Sequence, residues 1–211
     1  MTSIDFGNCE LNTNKNKLRN IGAVSLVHGI LESKHGQGYS LISEINLSYN
    51  YLTQECLPYF AKLCDPSFIQ VKNLNLSFNA LGSDAIKILE PNIPNLTVLN
   101  LNGCKLNKSS MSHLADIFNN ERVLLEELYL NNNNITTDGF YRLIVQLKTH
   151  NRVRHLNFSH NDIASDITTF STVQKFLCVN SALEYLDISH CNLNEKAGEA
   201  IGKGLRGNRN L

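Results

Sequence analysis

The sequence predicts an α/β solenoid, with short parallel strands forming one concave sheet and helices lining the convex side. Three observations carry this. An eleven-residue phrase, L-x-x-L-x-L-x-x-N/C-x-L with conservative swaps, recurs seven times. A segment with helical spacing follows the phrase. The interval between phrases is nearly constant: the Asn/Cys position falls at Cys9, Asn50, Asn79, Cys104, Asn133, Asn161 and Cys191, so the successive spacings are 41, 29, 25, 29, 28 and 30. Self-similarity at such a period is the mark of stacked structural units.

The phrase reads MTSIDFGNCEL from Met1, ISEINLSYNYL from Ile42, VKNLNLSFNAL from Val71 and LTVLNLNGCKL from Leu96. It continues as LEELYLNNNNI from Leu125, VRHLNFSHNDI from Val153 and LEYLDISHCNL from Leu183. In each rung the x-L-x-L-x core is a short strand whose alternate residues face opposite ways. Leu128 and Leu130 are thus expected inside, with Glu127, Tyr129 and Asn131 outside. The Asn or Cys that follows turns inward to satisfy backbone groups left unpaired by the turn, as buried polar groups require.

The helical segments come next. GSDAIKIL (82–89), SSMSHLADIF (109–118), TTDGFYRLIVQL (136–147) and NEKAGEAIGKGL (194–205) all open with small or polar residues suited to capping. Apolar positions then recur at three and four, as in Phe140, Leu143, Ile144 and Leu147. Two intervals depart from the rule. The first carries extra polar residues in NTNKNKLRN (12–20) and ESKHGQGYS (32–40), expected as loops around a helix over 21–31. The shortest contains EPNIPN (90–95), whose prolines are expected to truncate that rung's helix and to change the local curvature.

The phrase and its period of about 28 to 29 residues resemble the ribonuclease-inhibitor-like subfamily of leucine-rich repeats, across essentially the whole chain. That subfamily includes the repeat domains of NOD-like receptors and of activators of the Ran GTPase. The resemblance implies a right-handed horseshoe, and Cys9, Cys104 and Cys191 then occupy a position where the subfamily accepts a thiol. It implies little about activity, because one fold hosts many functions. A single domain over 1–211, of about seven repeats, is expected. Leu211 stands at the leading position of an eighth rung, so the solenoid is expected to continue beyond it, or to be completed end to end by another chain through uncapped terminal rungs.

Composition excludes several classes. Nineteen basic residues balance nineteen acidic ones, which leaves no basic footprint for nucleic acid or an anionic membrane. No run approaches a membrane span, and MTSIDFGNCE has neither signal-peptide regions nor a myristoylated glycine. Of the six cysteines, three sit at the inward position of distant rungs, and Cys56, Cys64 and Cys178 fall in helical segments. The expectation is a reduced, cytoplasmic protein, one setting being delivery into a host cell. The sequons at Asn46, Asn75 and Asn157 lie in strands, where a glycan would cover the concave face.

The outward positions can be stacked rung by rung. One column reads Ser3, Glu44, Asn73, Val98, Glu127, His155, Tyr185; the next reads Asp5, Asn46, Asn75, Asn100, Tyr129, Asn157, Asp187; a third reads Gly7, Ser48, Ser77, Asn102, Asn131, Ser159, Ser189. Tyrosines among charged neighbours are typical of protein-binding hot spots. The expected partner-binding residues are therefore Glu127, Tyr129, His155, Asn157, Tyr185 and Asp187 on the last three rungs, with His160 and His190 beside them. The competing reading is that such residues merely populate the strand surface. Tyr49, Phe78, Gly103, Asn132, His160 and His190 form a further column just past the strands. Its paired histidines lack close-set ligands, so they are read as solvated rather than metal-binding.

No Walker loop, G-x-S-x-G elbow or zinc-type cysteine spacing occurs, and no enzyme activity or cofactor is expected. The function expected is a non-catalytic protein–protein interaction module, serving as scaffold, sensor or pathogen effector. The alternatives are a GTPase activator resembling those acting on Ran, with Arg19 as its candidate contact, and a structural subunit of a larger assembly.

Overall fold

The computed structural model describes residues 3–5, 17–32, 43–63, 71–163 and 167–211. The expected Cys9 ladder position, Gly7, Cys64 and most of the two polar loops lie outside these residues, and for Ser3 and Asp5 only the backbone is described.

Among the described residues, seven three-residue strands alternate with seven helices. The strands are β1 (Ser3–Asp5), β2 (Glu44–Asn46), β3 (Asn73–Asn75), β4 (Val98–Asn100), β5 (Glu127–Tyr129), β6 (His155–Asn157) and β7 (Tyr185–Asp187). The helices are α1 (Arg19–Glu32), α2 (Leu57–Leu63), α3 (Ala85–Leu89), α4 (Lys108–Phe118), α5 (Thr137–Leu147), α6 (Ile167–Val179) and α7 (Glu195–Leu205). All strands pair in parallel, in sequence order. Neighbouring strands sit ~4.8 Å apart, whereas packed helices need 8–10 Å between axes. The strand side therefore forms the inner arc.

Among the described residues the main apolar core runs between the layers, and Phe170, Ala197 and Ala200 form a second, smaller cluster. Ile45, Leu74, Leu99, Leu128 and Leu156 fill the middle row of the main core, all at or near full burial. Phe140 and Phe158 pack edge to face within it, ring centroids 5.0 Å apart.

The inward asparagines join the rungs. Asn79 Oδ1 accepts the N–H groups of Asn50 (3.0 Å) and Leu52 (2.9 Å) from the preceding rung, while its Nδ2 donates to the Leu47 and Leu76 carbonyls. Asn133 repeats this with Cys104 N, Leu106 N, Leu101 O and Leu130 O. Cysteine keeps only the donor half: Cys104 Sγ reaches Leu76 O, and Cys191 Sγ reaches Phe158 O, each at 3.3 Å. Cys104 offers no amide oxygen to the rung before it, and Leu81 N donates to Asn79 O instead. Burial pushes the Cys56 thiol up to about 11 and the Cys104 thiol up to about 12, and raises Cys191 too, so these sulfurs stay protonated.

Two helices start earlier than expected. The first helix starts at Arg19 rather than 21, because Asn20 is tied to the second rung: its Oδ1 accepts Thr53 N at 2.9 Å and its Nδ2 donates to Thr53 Oγ1 at 2.7 Å. The α4 helix starts one residue early at Lys108, where Asn107 caps Ser109 and Ser110 and Ser110 returns the bond. The truncation near the prolines holds: α3 has five residues, and Ile93–Asn95 forms a 3-10 turn.

Candidate functional site

Register places six of the eight expected contact residues on adjoining strands. Glu127, His155 and Tyr185 are direct neighbours in one row, and Tyr129, Asn157 and Asp187 in the other. Both rows face away from the core, since the intervening Leu128 and Leu156 are fully buried and Leu186 packs against the core.

Most of the second row serves the scaffold. Asn46, Asn75, Asn100, Asn157 and Asp187 each accept the N–H of the residue two positions on, at 2.9–3.1 Å. These bonds close the turn that follows each strand. Burial pushes the Asp187 carboxyl up, but the Ser189 N–H and hydroxyl, with bonds from Ser159 and Asn157, outweigh it and hold the group below the usual carboxylate range.

Tyr129 breaks this pattern. It has no acceptor for the N–H of Asn131, and Asn102 Oδ1 of the preceding rung takes that bond at 2.9 Å. The Tyr129 hydroxyl instead donates to Glu127 Oε2 at 2.7 Å, and burial together with this carboxylate pushes its phenol up to about 12. His155 and Tyr185 lean together, centroids 5.6 Å apart at 47°, with Tyr185 half exposed. Glu127, Tyr129, His155 and Tyr185 thus make no bond that closes a strand-end turn, whereas Asn157 and Asp187 do.

The column past the strands has a conformation that periodicity did not reveal. Tyr49, Phe78, Gly103, Asn132, His160 and His190 all adopt left-handed backbone, with φ between 54° and 61°. That geometry swings the next residue, the ladder Asn or Cys, into the core. Each of the first five also donates its N–H to the following rung. Left-handed backbone disfavours side chains with a Cβ; glycine and asparagine at two of the six positions were the only sequence signal for it. Tyr49 stacks on Phe78 (4.4 Å, 13°), and Gly103 leaves the room that the Phe78 ring occupies: a Cβ there would lie 2.7 Å from Cδ1. His160 and His190 stack at 4.2 Å and 11°. With ring planes parallel, their in-plane lone pairs run side by side rather than converging on one ion. His160 and His190 lie beside the six strand residues, in the turns after β6 and β7.

A cleft of about 680 Å³ opens at the other end of the strands, between the loops leading into β5 and β6. His150 lines it with both ring nitrogens buried and neither within normal hydrogen-bond geometry, the Val123 backbone acting on the ring only weakly against its burial. Sequence reasoning missed this residue. It occupies the place that Asn180 and Asn208 hold in the next rungs, each donating to carbonyls of the rung before. The imidazole does not reproduce those bonds.

Arg19 is exposed, and its backbone N–H donates to Asn50 O at 3.0 Å. Among the described residues no helix is long and apolar enough to cross a membrane, and no group of three metal-ligating side chains converges.

The sequence matches the family described as Leucine Rich Repeat over residues 95–119 and 124–143, and a second family of the same description over 179–202. It is 27% identical over 117 residues, or 55% of its length, to NACHT, LRR and PYD domains-containing protein 4E of Mus musculus. That stretch spans 12% of the relative's length. Two solved structures share the fold at a TM-score of 0.50 each. One, described as leiomodin-1 actin-binding site 2, is 16% identical, with 87% of this chain and 88% of that one covered. The other, the tropomodulin C-terminal domain of Caenorhabditis elegans, is 13% identical, with 88% and 92% covered.

Proposed function

This chain is a leucine-rich-repeat protein, and from that premise we propose that it is a non-catalytic protein–protein interaction module. It engages a folded protein on the open face of its sheet, centred on the last three rungs. The observation that carries this is the division of labour on β5–β7. Asn157 and Asp187 close the turns, while Glu127, Tyr129, His155 and Tyr185 present an aromatic and charged surface that those turns do not use. His160 and His190 extend that surface past the strand ends. Residues 1–211 act as one repeat domain in the cytoplasm, where protonated buried thiols persist unpaired.

The test is capture of partners from cytosol by the wild type and by a Tyr129→Ala/Tyr185→Ala variant, with thermal melts as the folding control. Purified actin is included as a named candidate, since one structural neighbour is an actin-binding segment. A partner held by the wild type and lost by the folded variant supports the reading. A partner kept by both moves the contact to the helices, the left-handed column or the rung ends.

A further inference from the structure

The first and third residues of β2 to β7 face outward, and none of them is Lys or Arg. The chain as a whole balances nineteen such residues with nineteen acids, whereas these outward positions carry the carboxylates of Glu44, Glu127 and Asp187 with no Lys or Arg among them. Two cations on the rim just before the strands are engaged there: Arg154 Nη1 with Glu184 Oε1 at 2.9 Å, and Lys72 Nζ with Asn95 O at 3.2 Å.

On β5–β7 the anionic groups stand beside aromatic rings. The hydrogen bond between Tyr129 Oη and Glu127 Oε2 joins one ring to one carboxylate. Asp187 lies in the same row as Tyr129, its Oδ1 held by Ser189, and Tyr185 leans toward His155 from the adjoining strand. These groups border a stretch of face two strand spacings wide, roughly 10 Å. Aromatic faces attract cations, and carboxylates bind guanidinium or ammonium through charge-assisted hydrogen bonds. An apolar partner side chain would satisfy the rings and leave the carboxylates desolvated without a counter-charge, which is unfavourable.

We propose that this patch receives a basic side chain of the partner protein, held against the Tyr129 and Tyr185 rings with Glu127 and Asp187 as its counter-charges. The proposal rests on the reading of the last three rungs as the contact face.

The test is a titration of the isotopically labelled full chain with N-acetyl-arginine methylamide, and with its citrulline counterpart, a neutral urea of nearly the same shape. Saturable movement of the Tyr129, Tyr185 and His155 ring signals is expected with the arginine compound, and binding on the order of tenfold weaker with citrulline. Glu127→Gln/Asp187→Asn, its fold checked by the amide spectrum, is expected to lose the arginine response by a similar factor. Should that pair disturb the β7 turn, Glu127→Gln alone carries the comparison. An equal response to both compounds, or no response of these rings, overturns the proposal. If it fails while Tyr129→Ala/Tyr185→Ala still abolishes partner capture, the interaction face stands and only the basic side chain is removed. If the alanine variant keeps its partner, the contact face itself is wrong.

Discussion

The backbone N–H of Asn131 donates to the side-chain oxygen of Asn102 on the preceding rung, at 2.9 Å. On β2–β4, β6 and β7 the corresponding N–H is taken within its own rung, by an Asn or Asp two residues earlier. One tyrosine has displaced that acceptor, and the neighbouring rung supplies a replacement. The exchange makes the proposed contact role of Tyr129 testable apart from the scaffold: Tyr129→Asn restores the local acceptor. Its expected effect on stability is within about 1 kcal/mol of zero, together with loss of partner capture. Asn102→Ala, by contrast, leaves the Asn131 N–H without its acceptor and is expected to cost about 1–3 kcal/mol. Chemical denaturation of the two variants reads both effects, and equal destabilisation would sink the distinction.

Asn133, like Asn79, is a fully connected joint of the inner ladder. Truncation to alanine removes four hydrogen bonds at 2.9–3.0 Å and orphans two N–H groups and two carbonyls in the core. A loss of roughly 3 kcal/mol or more is expected, read as a fall in denaturation midpoint. Cys104→Asn runs the other way, since a ladder amide oxygen there is able to accept the Asn79 and Leu81 N–H groups; a gain of about 1 kcal/mol is expected.

Gly103 meets two demands, a φ of 61° and contact with the Phe78 ring. Gly103→Ala is expected to cost about 1–2 kcal/mol and to displace Phe78 from Tyr49. Near-ultraviolet circular dichroism reports that displacement. An unchanged aromatic signal would mean that the stack does not depend on the glycine.

His150 makes the fold acid-sensitive. Burial, the largest influence, and the Arg152 charge hold it below its ordinary value of 6.5, against a weaker upward pull from the Val123 backbone. Between the depressed folded value and 6.5 the unfolded chain binds the extra proton, so stability falls as pH drops below about 6.5. His150→Asn reinstates the ladder residue found at Asn180 and Asn208. It is expected to raise stability and flatten the slope of stability against pH in that window. An unchanged slope would assign the acid sensitivity to other groups.

Thiol reactivity should follow burial. Cys178 is exposed, whereas Cys56, Cys104 and Cys191 are buried with raised pKa values. In a chain with Cys9→Ser and Cys64→Ser, a maleimide is expected to label Cys178 in the native state and the other three only on unfolding. Mass spectrometry of digested samples gives the order.

Much of the fold was legible in the sequence because it rests on local rules. Two-residue alternation places Leu128 and Leu156 inside and Glu127 and His155 outside, and the repeat interval aligns one rung with the next, so the expected columns coincide with the strand register. The prolines of EPNIPN shorten α3 by their own chemistry. The candidate residues on β5–β7 could likewise be listed together, but not sorted. That Tyr129 does no turn-closing work depends on Asn102, 29 positions away from the Asn131 N–H it rescues.

By itself, then, the sequence determined the solenoid, the order and register of its strands, and which side chains face outward on the last three rungs. These follow from periods of two and about 28 residues, which each rung imposes on itself. Tertiary structure alone decided the left-handed column with its Tyr49–Phe78 and His160–His190 stacks, the acceptor exchange around Tyr129, and the buried ring of His150. Each of these is a contact between rungs. Whether a polar group finds a partner there depends on what the neighbouring rung presents at the same height, and no rung encodes its neighbour's side chain.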